Sequence, residues 1–207
     1  VLKNLFKIQW WHIRDTFTVV LEKGKLKEYV MKAKELYPTD RSPDGSLIEL
    51  AKAIGVEASS VQRIVRNEGR DTITVGNLMR LLYLLDVPCQ EVTPYIKSIG
   101  GRGDKGAIIN PKFPIELYNA DGARLLAAAL KDGDINIQYH FEYINYDKYN
   151  LRRVNEAVNR IFGEIEPSIL YEDNGKQKGI HYQSALIGDI LVDAGAVVGR
   201  KTDQDYR

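Results

Sequence analysis

The chain has few of the residues that build disulfides, zinc sites and membrane spans. Cys89 is the single cysteine among 207 residues, so an internal disulfide is excluded. The three histidines, His12, His140 and His181, are scattered, which argues against a zinc site built from cysteine and histidine. No apolar run approaches the roughly 20 residues that span a bilayer, and no secretory signal is visible. We therefore expect a cytoplasmic protein without membrane contact.

The charge of the chain is nearly balanced and does not by itself indicate a nucleic-acid partner. The net charge is +1, and 28% of the residues are charged, which is typical of a globular protein of one or two domains. The distribution is uneven: residues 1–110 carry 17 basic and 13 acidic side chains, whereas residues 111–207 carry 12 and 15. A duplex-binding protein needs positive charge only on the face that meets phosphate.

The first half of the chain is predicted to be mainly helical. Residues 2–21 are rich in β-branched and aromatic side chains and predict a strand or hairpin. Residues 25–37 have helical spacing and end at Pro38. Ser46, with Glu49 three residues later, predicts a capping box at the start of the next helix. Further helices are predicted at about residues 59–67, 74–85 and 89–99.

A pattern of small, flexible and apolar residues follows Ser46. Ala51 allows two crossing helices to approach closely, Gly55 tolerates positive φ in the turn, and Val61 can lock the second helix. The segment that contains them resembles the helix-turn-helix of the Cro/repressor-like family over the sequence LAKAIGVEASSVQRIVRNEG. The alternative is a plain helical bundle with a solvated outer face.

The resemblance implies that residues 59–66 form a DNA recognition helix. Its buried side would hold Val61, Ile64 and Val65. Serine at a helix start suits phosphate, glutamine suits adenine edges, and arginine suits guanine or phosphate. The side chains expected to meet DNA are Ser59, Ser60, Gln62, Arg63 and Arg66.

A glycine-rich segment separates this half from the next. The sequence GGRGDKG has four glycines in seven residues and no apolar side chain, which is typical of a flexible linker. The expected parts are an N-terminal strand or hairpin with a helix at 1–45, a helix-turn-helix domain at 46–99, a linker at 100–114 and a second domain at 115–207.

The second domain starts with a helix, predicted within residues 118–135, that ends abruptly. Asn119 or Asp121 can cap its start. Asp132 lies at its C-terminal end, where the helix dipole is negative, and a bound cation would remove that conflict. The predicted apolar face of the helix consists of Leu125, Leu126, Ala129 and Leu130.

The rest of the domain predicts strands and helices in turn. Residues 136–143 alternate between apolar and polar side chains, which predicts a half-buried strand. Two more strands, at 167–172 and 178–183, flank a turn at Asp173-Asn174-Gly175. Two more helices are predicted at residues 151–162 and 184–194. These residue patterns predict the order helix, strands, helix, strands, helix, and the predicted fold class is α+β.

Two segments resemble a known family. Residues Leu125 to Ile135 resemble the signature helix of LAGLIDADG homing endonucleases, and SALIGDILVDAGAVVGRK resembles the closing segment of the archaeal-type members. The resemblance implies a single unit with the order α-β-β-α-β-β-α, in which a saddle-shaped antiparallel sheet carries helices on one face. It implies a homodimer whose signature helices pack side by side, with double-stranded DNA as partner and Mg²⁺ as cofactor. Asp193 occurs in a sequence that looks like a second signature, but Ala194 follows it, so we interpret it as part of a helix cap.

The resemblance also implies particular site residues. Asp132 would be the catalytic acid and would form the metal site with Gly133, while Asp134 is an auxiliary acid or a turn former. The small residues Ala127 and Ala128 would line the dimer interface. The residues of this domain expected to meet DNA are Asn136, Gln138, His140, Arg200 and Lys201. The alternative for the polar strand face is simple hydration, since Glu142 on that face would repel phosphate.

These patterns lead to two functional expectations. The first is sequence-specific binding of double-stranded DNA with metal-dependent phosphodiester cleavage by a LAGLIDADG-type homodimer. The second is a catalytically inactive DNA-binding regulator, which Leu130 favours because the family often has a second acid at that position. Protein splicing is disfavoured, since the nucleophilic first residue and terminal His-Asn pair of inteins are missing. We expect no small-molecule cofactor and association with the nucleoid.

Overall fold

The computed structural model describes residues 7–37, 45–66, 71–101 and 106–199. The fold is α+β with antiparallel sheets, as the sequence predicts. The chain divides into two compact units, of which the first is Trp10–Ile99 and the second comprises the residues on either side of it. Within the described ranges, no helix is both long and apolar enough to cross a membrane.

The described residues form eight α-helices and ten strands. The helices are α1 (Lys25–Lys34), α2 (Gly45–Ile54), α3 (Ala58–Arg66), α4 (Val75–Leu84), α5 (Cys89–Val92), α6 (Ala120–Lys131), α7 (Lys148–Ile161) and α8 (Ala185–Asp193). The strands are β1 (Lys7–Ile8), β2 (Thr18–Leu21), β3 (Thr72–Thr74), β4 (Ile96–Gly100), β5 (Ile108–Ile109), β6 (Ile115–Glu116), β7 (Gly133–Ile135), β8 (Phe141–Ile144), β9 (Ser168–Tyr171) and β10 (Gln177–Tyr182).

The first unit packs helices α1 to α4 together and contains strands β3, β2 and β4 in that order. The predicted stripe of α2 is confirmed, because Leu47, Leu50, Ala51 and Ile54 are all buried. The predicted positive φ at Gly55 is also confirmed, at +77°. Val61 on α3 is fully buried. The expectation that Ile64 and Val65 are buried as well is wrong: both are half-exposed, so α3 is enclosed mainly around Val61.

Two other expectations for the first half of the chain are confirmed only in part. The described part of residues 2–21 contains strands β1 and β2, but they do not form a hairpin, because β1 pairs with β6 and β2 pairs with β3. A short 3-10 helix at Trp10–His12 lies between them. The predicted helix at 89–99 covers only the four residues of α5, followed by a 3-10 helix and strand β4. Pairing with distant strands overrides the local pattern in both segments.

Helix ends differ by small amounts from the predicted ones. Helix α1 ends at Lys34 rather than at residue 37, and Pro38 lies outside the described residues. Helix α2 begins at Gly45, so Ser46 lies inside its first turn rather than before it. Thr74 caps α4 by accepting a hydrogen bond from the backbone N–H of Asn77 at 3.4 Å.

The expected linker is packed wherever it is described. Gly106 is buried, and a Cβ at that position would collide with the backbone of Gln183 and Ser184. Ile108 is fully buried. The backbones of Ile109 and Glu164 exchange two hydrogen bonds, at 2.9 and 2.8 Å. The exit of the glycine-rich segment is therefore part of the second unit, because its apolar residues are needed in that core.

The second unit contains the elements α6, β7, β8, α7, β9, β10 and α8 in the predicted order. Its sheet is antiparallel with strand order β7-β8-β10-β9. Alternate side chains of the central strands are buried, among them Phe141 and Tyr182, whose rings stack 6.1 Å apart. The Tyr182 hydroxyl donates a hydrogen bond of 2.7 Å to Asn155 Oδ1, and burial raises its pKa.

The predicted strand at residues 136–143 is wrong in its first half. Residues 136–140 form the turn of a hairpin between β7 and β8 instead. The side-chain Oδ1 of Asn136 accepts hydrogen bonds from the backbone N–H groups of Gln138 and His140, at 2.9 and 3.0 Å. Tyr139 has a φ of +61°. An asparagine side chain can bond to nearby backbone N–H groups and so stabilise a turn where a strand would otherwise form. The alternation of apolar and polar residues gives no sign of this turn.

Candidate functional site

The candidate site is built on the C-terminal end of α6. Asn119 caps the start of this helix, its Oδ1 accepting a hydrogen bond from the N–H of Gly122 at 2.9 Å, as predicted. The helix ends at Asp132, whose backbone N–H donates to Ala128 O at 3.2 Å and whose carbonyl accepts from Ile144 N–H at 3.2 Å. The Asp132 side chain is exposed. The backbone of this acid is therefore fixed while its carboxylate faces solvent.

Gly133 follows α6 directly and begins strand β7, at a place where the surrounding atoms leave no room for a side chain. A Cβ at this position would lie 2.8 Å from Ala128 O, 2.8 Å from the Phe141 ring and 2.9 Å from Ala129 Cα. Real Cβ atoms do not approach other atoms so closely. Close packing thus gives a structural reason for glycine at the position after Asp132.

An open cleft of about 310 Å³ lies beside the Asp132 carboxylate, between α6, α7 and β8. Three cationic side chains and one carboxylate line it, together with amide and phenol groups. Its lining residues are Arg124, Ala127, Ala128, Lys131, Asp132, Tyr143, Asn145, Asn150, Arg153 and Val154. The excess of positive charge suits a phosphate group. Lys131 is adjacent to Asp132 in sequence, so its position along the chain already indicates that it lies near this acid. Arg153, in contrast, reaches the cleft only through the tertiary fold.

Asp121 links α6 to α7 instead of capping α6. Its carboxylate accepts from Arg124 Nη1 at 2.6 Å and from Arg160 Nε at 2.7 Å. These contacts, led by the Arg160 hydrogen bond, hold the pKa of Asp121 below its usual value. Since Arg124 is engaged there, Lys131 and Arg153 supply most of the available positive charge in the cleft. Arg153 lies over the ring of Tyr149, 5.4 Å from its centroid.

The described residues of one chain do not by themselves provide a set of ligands for Mg²⁺. The ion needs near-octahedral coordination by oxygen atoms, usually with one or two carboxylates. In the described part of the chain, no group of three His, Cys, Asp or Glu side chains is placed to hold a metal. Asp134 pairs across the sheet with Glu142, and its Oδ1 is buried without a hydrogen-bond partner. Asp132 is the one carboxylate among the described residues that line the cleft, which it shares with Lys131 and Arg153.

The expected DNA-reading strand face is rearranged. Asn136 uses its side chain to close the hairpin turn, Gln138 is exposed in the turn, and the His140 ring lies 5.5 Å from the His181 ring. The register places Glu142 opposite both Asp134 and His181. Burial, followed by the charge of His140, lowers the pKa of His181. His181 was not among the residues predicted for this sheet face. The alternating pattern of residues 178–182 is the sequence signal that could have placed it there, beside Glu142.

The predicted recognition helix presents its charged residues outward. Ser59, Arg63 and Arg66 are exposed, whereas Ser60 and Gln62 are half-exposed. Arg63 Nη2 lies 3.5 Å from Ser60 Oγ, a weak hydrogen bond. Neither arginine belongs to an ion pair within the described residues. Both guanidinium groups therefore remain available to an anionic partner.

The side of α6 that carries the small residues Ala127 and Ala128 is only partly exposed to solvent. Ala127 is exposed, but Ala128 is buried, with 8% of its surface exposed. The predicted apolar face is also partly wrong: Leu125 and Ala129 are buried, Leu126 is half-buried and Leu130 is 51% exposed. The exposed apolar stripe consists of Ala120, Ala123, Ala127 and Leu130.

Arg200 and Lys201, predicted to contact phosphate, lie outside the described residues. The other predicted site residues fall in three places: on α3, around the end of α6 and in the β7–β8 turn. Neither the models of known protein families nor the curated protein sequences give a match to this chain.

Proposed function

We propose that this protein binds double-stranded DNA in a sequence-specific manner through α2 and α3. The observation that carries the proposal is the turn between these helices. Gly55 adopts a φ of +77° there, while Ala51 and Val61 are buried beside it. This arrangement leaves Arg63 and Arg66 exposed and without ion pairs in the described residues.

The chemistry of α3 supports reading of a duplex. In a helix-turn-helix the second helix lies in the major groove, with its first residues near the base edges. Ser59 and Gln62 can then contact phosphate and adenine, while Arg63 and Arg66 contact guanine or phosphate. Non-specific binding through phosphate alone would involve Arg63 and Arg66, but it would not need the contact of Gln62 with a base. Specific binding is therefore tested by comparing a selected duplex with a scrambled one.

The second unit would act as a LAGLIDADG-type scaffold that forms a homodimer. Support comes from the element order, from the acid at the end of α6 and from the exposed stripe Ala120, Ala123, Ala127 and Leu130. Small side chains allow two helices to approach closely. Because Ala128 is buried, Ala127 rather than Ala128 would lie at the centre of the contact. Lys131 and Arg153 would hold backbone phosphate in the cleft.

Replacing Ala127 with glutamate should convert a dimer into a monomer, because two like charges would be forced together where the helices meet. The measurement is sedimentation at micromolar concentration. Ala53→Glu, an exposed alanine on α2, is the matched control and should leave the sedimentation coefficient unchanged. A wild-type protein that is a monomer under these conditions would contradict the paired-helix arrangement.

A second candidate function is cleavage of the bound DNA. It is favoured by the exposed Asp132 carboxylate at the tip of a helix whose apolar stripe is also exposed. The described residues of one chain do not form a group of Mg²⁺ ligands, so in this candidate function the metal site would take a carboxylate from each of two copies. The alternative is a regulator that binds DNA without cutting it.

Cleavage is tested with Mg²⁺ and a pool of genomic fragments. If Asp132 is catalytic, wild type should cut discrete sites and Asp132→Asn should not, while both retard the fragments equally on a gel. The conservative change keeps the shape of the side chain and removes only its charge. Equal retardation without cutting by either protein would favour the regulator.

A further inference from the structure

We propose that Ile137, at the tip of the β7–β8 hairpin, inserts between base pairs and partly unstacks the duplex. The proposal rests on the DNA binding proposed above and adds a residue to it. Ile137 is 85% exposed and is the most exposed isoleucine among the described residues. Hairpin turns usually carry glycine, asparagine, aspartate or serine rather than a large apolar side chain.

The other hairpin of the same sheet follows that rule. Strands β9 and β10 are joined through Asp173, Asn174 and Gly175, and all three are exposed. The β7–β8 turn instead places an isoleucine between Asn136 and Gln138. Local turn geometry does not call for this residue, since the closing hydrogen bonds come from Asn136. An apolar contact with a partner explains the isoleucine.

The tip is rigid before any partner arrives. Besides the two bonds accepted by the Asn136 side chain, Tyr139 N–H donates to Asn136 O at 2.9 Å, and Asn136 N–H donates to His140 O at 3.2 Å. Helix α8 braces the turn from behind, because a Cβ at Gly188 would collide with the backbone of Tyr139. Because the backbone of the turn is held in this way, it loses little conformational entropy when Ile137 inserts.

The chemistry of the tip suits a base step better than a phosphate. Side chains that unstack DNA from the minor groove are apolar, isoleucine among them, and asparagine and glutamine commonly read the neighbouring bases. Gln138 is exposed next to Ile137. The outer sheet face behind the turn carries Asp134 and Glu142, which disfavour a broad contact with phosphate. A narrow apolar tip avoids that repulsion.

The position of the tip predicts where the distortion occurs. Ile137 is five residues from Asp132 in sequence, so the two Cα atoms are at most about 18 Å apart. Each strand of B-DNA advances about 3.4 Å per base. With the reach of the side chains added, unstacking should lie within about one helical turn, or roughly ten base pairs, of the phosphate held near Lys131 and Arg153.

The test uses a duplex that the wild-type protein recovers from a randomised pool, with 2-aminopurine placed at successive positions. Wild type should raise the fluorescence at neighbouring positions, which reports unstacking. Ile137→Ala should lose this rise and bind about tenfold more weakly, whereas Ile137→Leu should keep it. Ile169→Ala, at an isoleucine 48% exposed on β9, is the matched control and should behave as wild type.

Three results would overturn the proposal. Retardation of the duplex by wild type without a fluorescence change at any position would remove the unstacking while leaving DNA binding intact. A fluorescence rise that persists in Ile137→Ala would assign the unstacking to another residue. Failure of wild type to recover any duplex from the randomised pool would remove both this proposal and the proposed function.

Discussion

Replacing Arg63 and Arg66 together with alanine is expected to lower DNA affinity by about tenfold to a hundredfold at moderate salt. Both side chains are exposed on α3, and no ion pair among the described residues engages either of them, so no carboxylate in that part of the chain competes with phosphate for them. Each lost phosphate contact should reduce the slope of log K against log salt by about 0.9. Titration of a labelled duplex at several salt concentrations measures both quantities.

The matched control is the double variant Lys32→Ala and Lys97→Ala. It removes the same charge from the same unit, but its lysines lie on α1 and β4 and are already paired with Glu28 and Glu22. Its salt slope should equal that of wild type. If the two double variants have equal slopes, the effect is one of net charge, and α3 is not the reading helix.

Replacing Gly133 with alanine is expected to destabilise the second unit by about 2–3 kcal/mol. The added methyl group would lie within 3 Å of Ala128 O, Ala129 Cα and the Phe141 ring. Two of these atoms belong to the backbone of α6, so the helix and the strand would have to separate. The expected fall in melting temperature is about 10 °C. Far-UV circular dichroism follows this transition.

Two comparisons test whether the loss of stability comes from crowding at Gly133 in the second unit. Trp10 and Trp11 are the two tryptophans and lie in the first unit, so tryptophan emission reports on that unit and should change less than the dichroism. Gly175→Ala is the matched glycine variant. Gly175 has a φ of +79° but open space around it, so its cost should be only about 1 kcal/mol. A smaller effect at Gly133 than at Gly175 would contradict the steric account.

Both proposals place function on elements whose local geometry is rigid. The α2–α3 turn is fixed by Gly55 and by the buried pair Ala51 and Val61. The β7–β8 turn is fixed by the Asn136 side chain. Residues held in this way lose little freedom on binding, so more of the contact energy appears as affinity. The variants test separate steps. The double variant Arg63→Ala/Arg66→Ala tests the contact with the duplex, and Ile137→Ala tests the distortion of the duplex.

The sequence by itself determined the features that depend on neighbouring residues. The alternation of helices and strands in the second unit, the Asn119 cap and the positive φ of Gly55 all follow from patterns a few residues long. Helical spacing, capping and turn preference act through contacts between residues close in sequence. The end of α6 at Asp132 was predicted for the same reason.

Only the tertiary structure decided which distant residues meet. Strand β1 pairs with β6 across more than a hundred residues, and Arg153 reaches the cleft of Lys131 from another helix. The hairpin turn at 136–140 replaced a predicted strand, because hydrogen bonds of the Asn136 side chain and support from α8 outweigh the alternating pattern. Contacts of this kind depend on the whole packing of the chain, so no short sequence pattern encodes them.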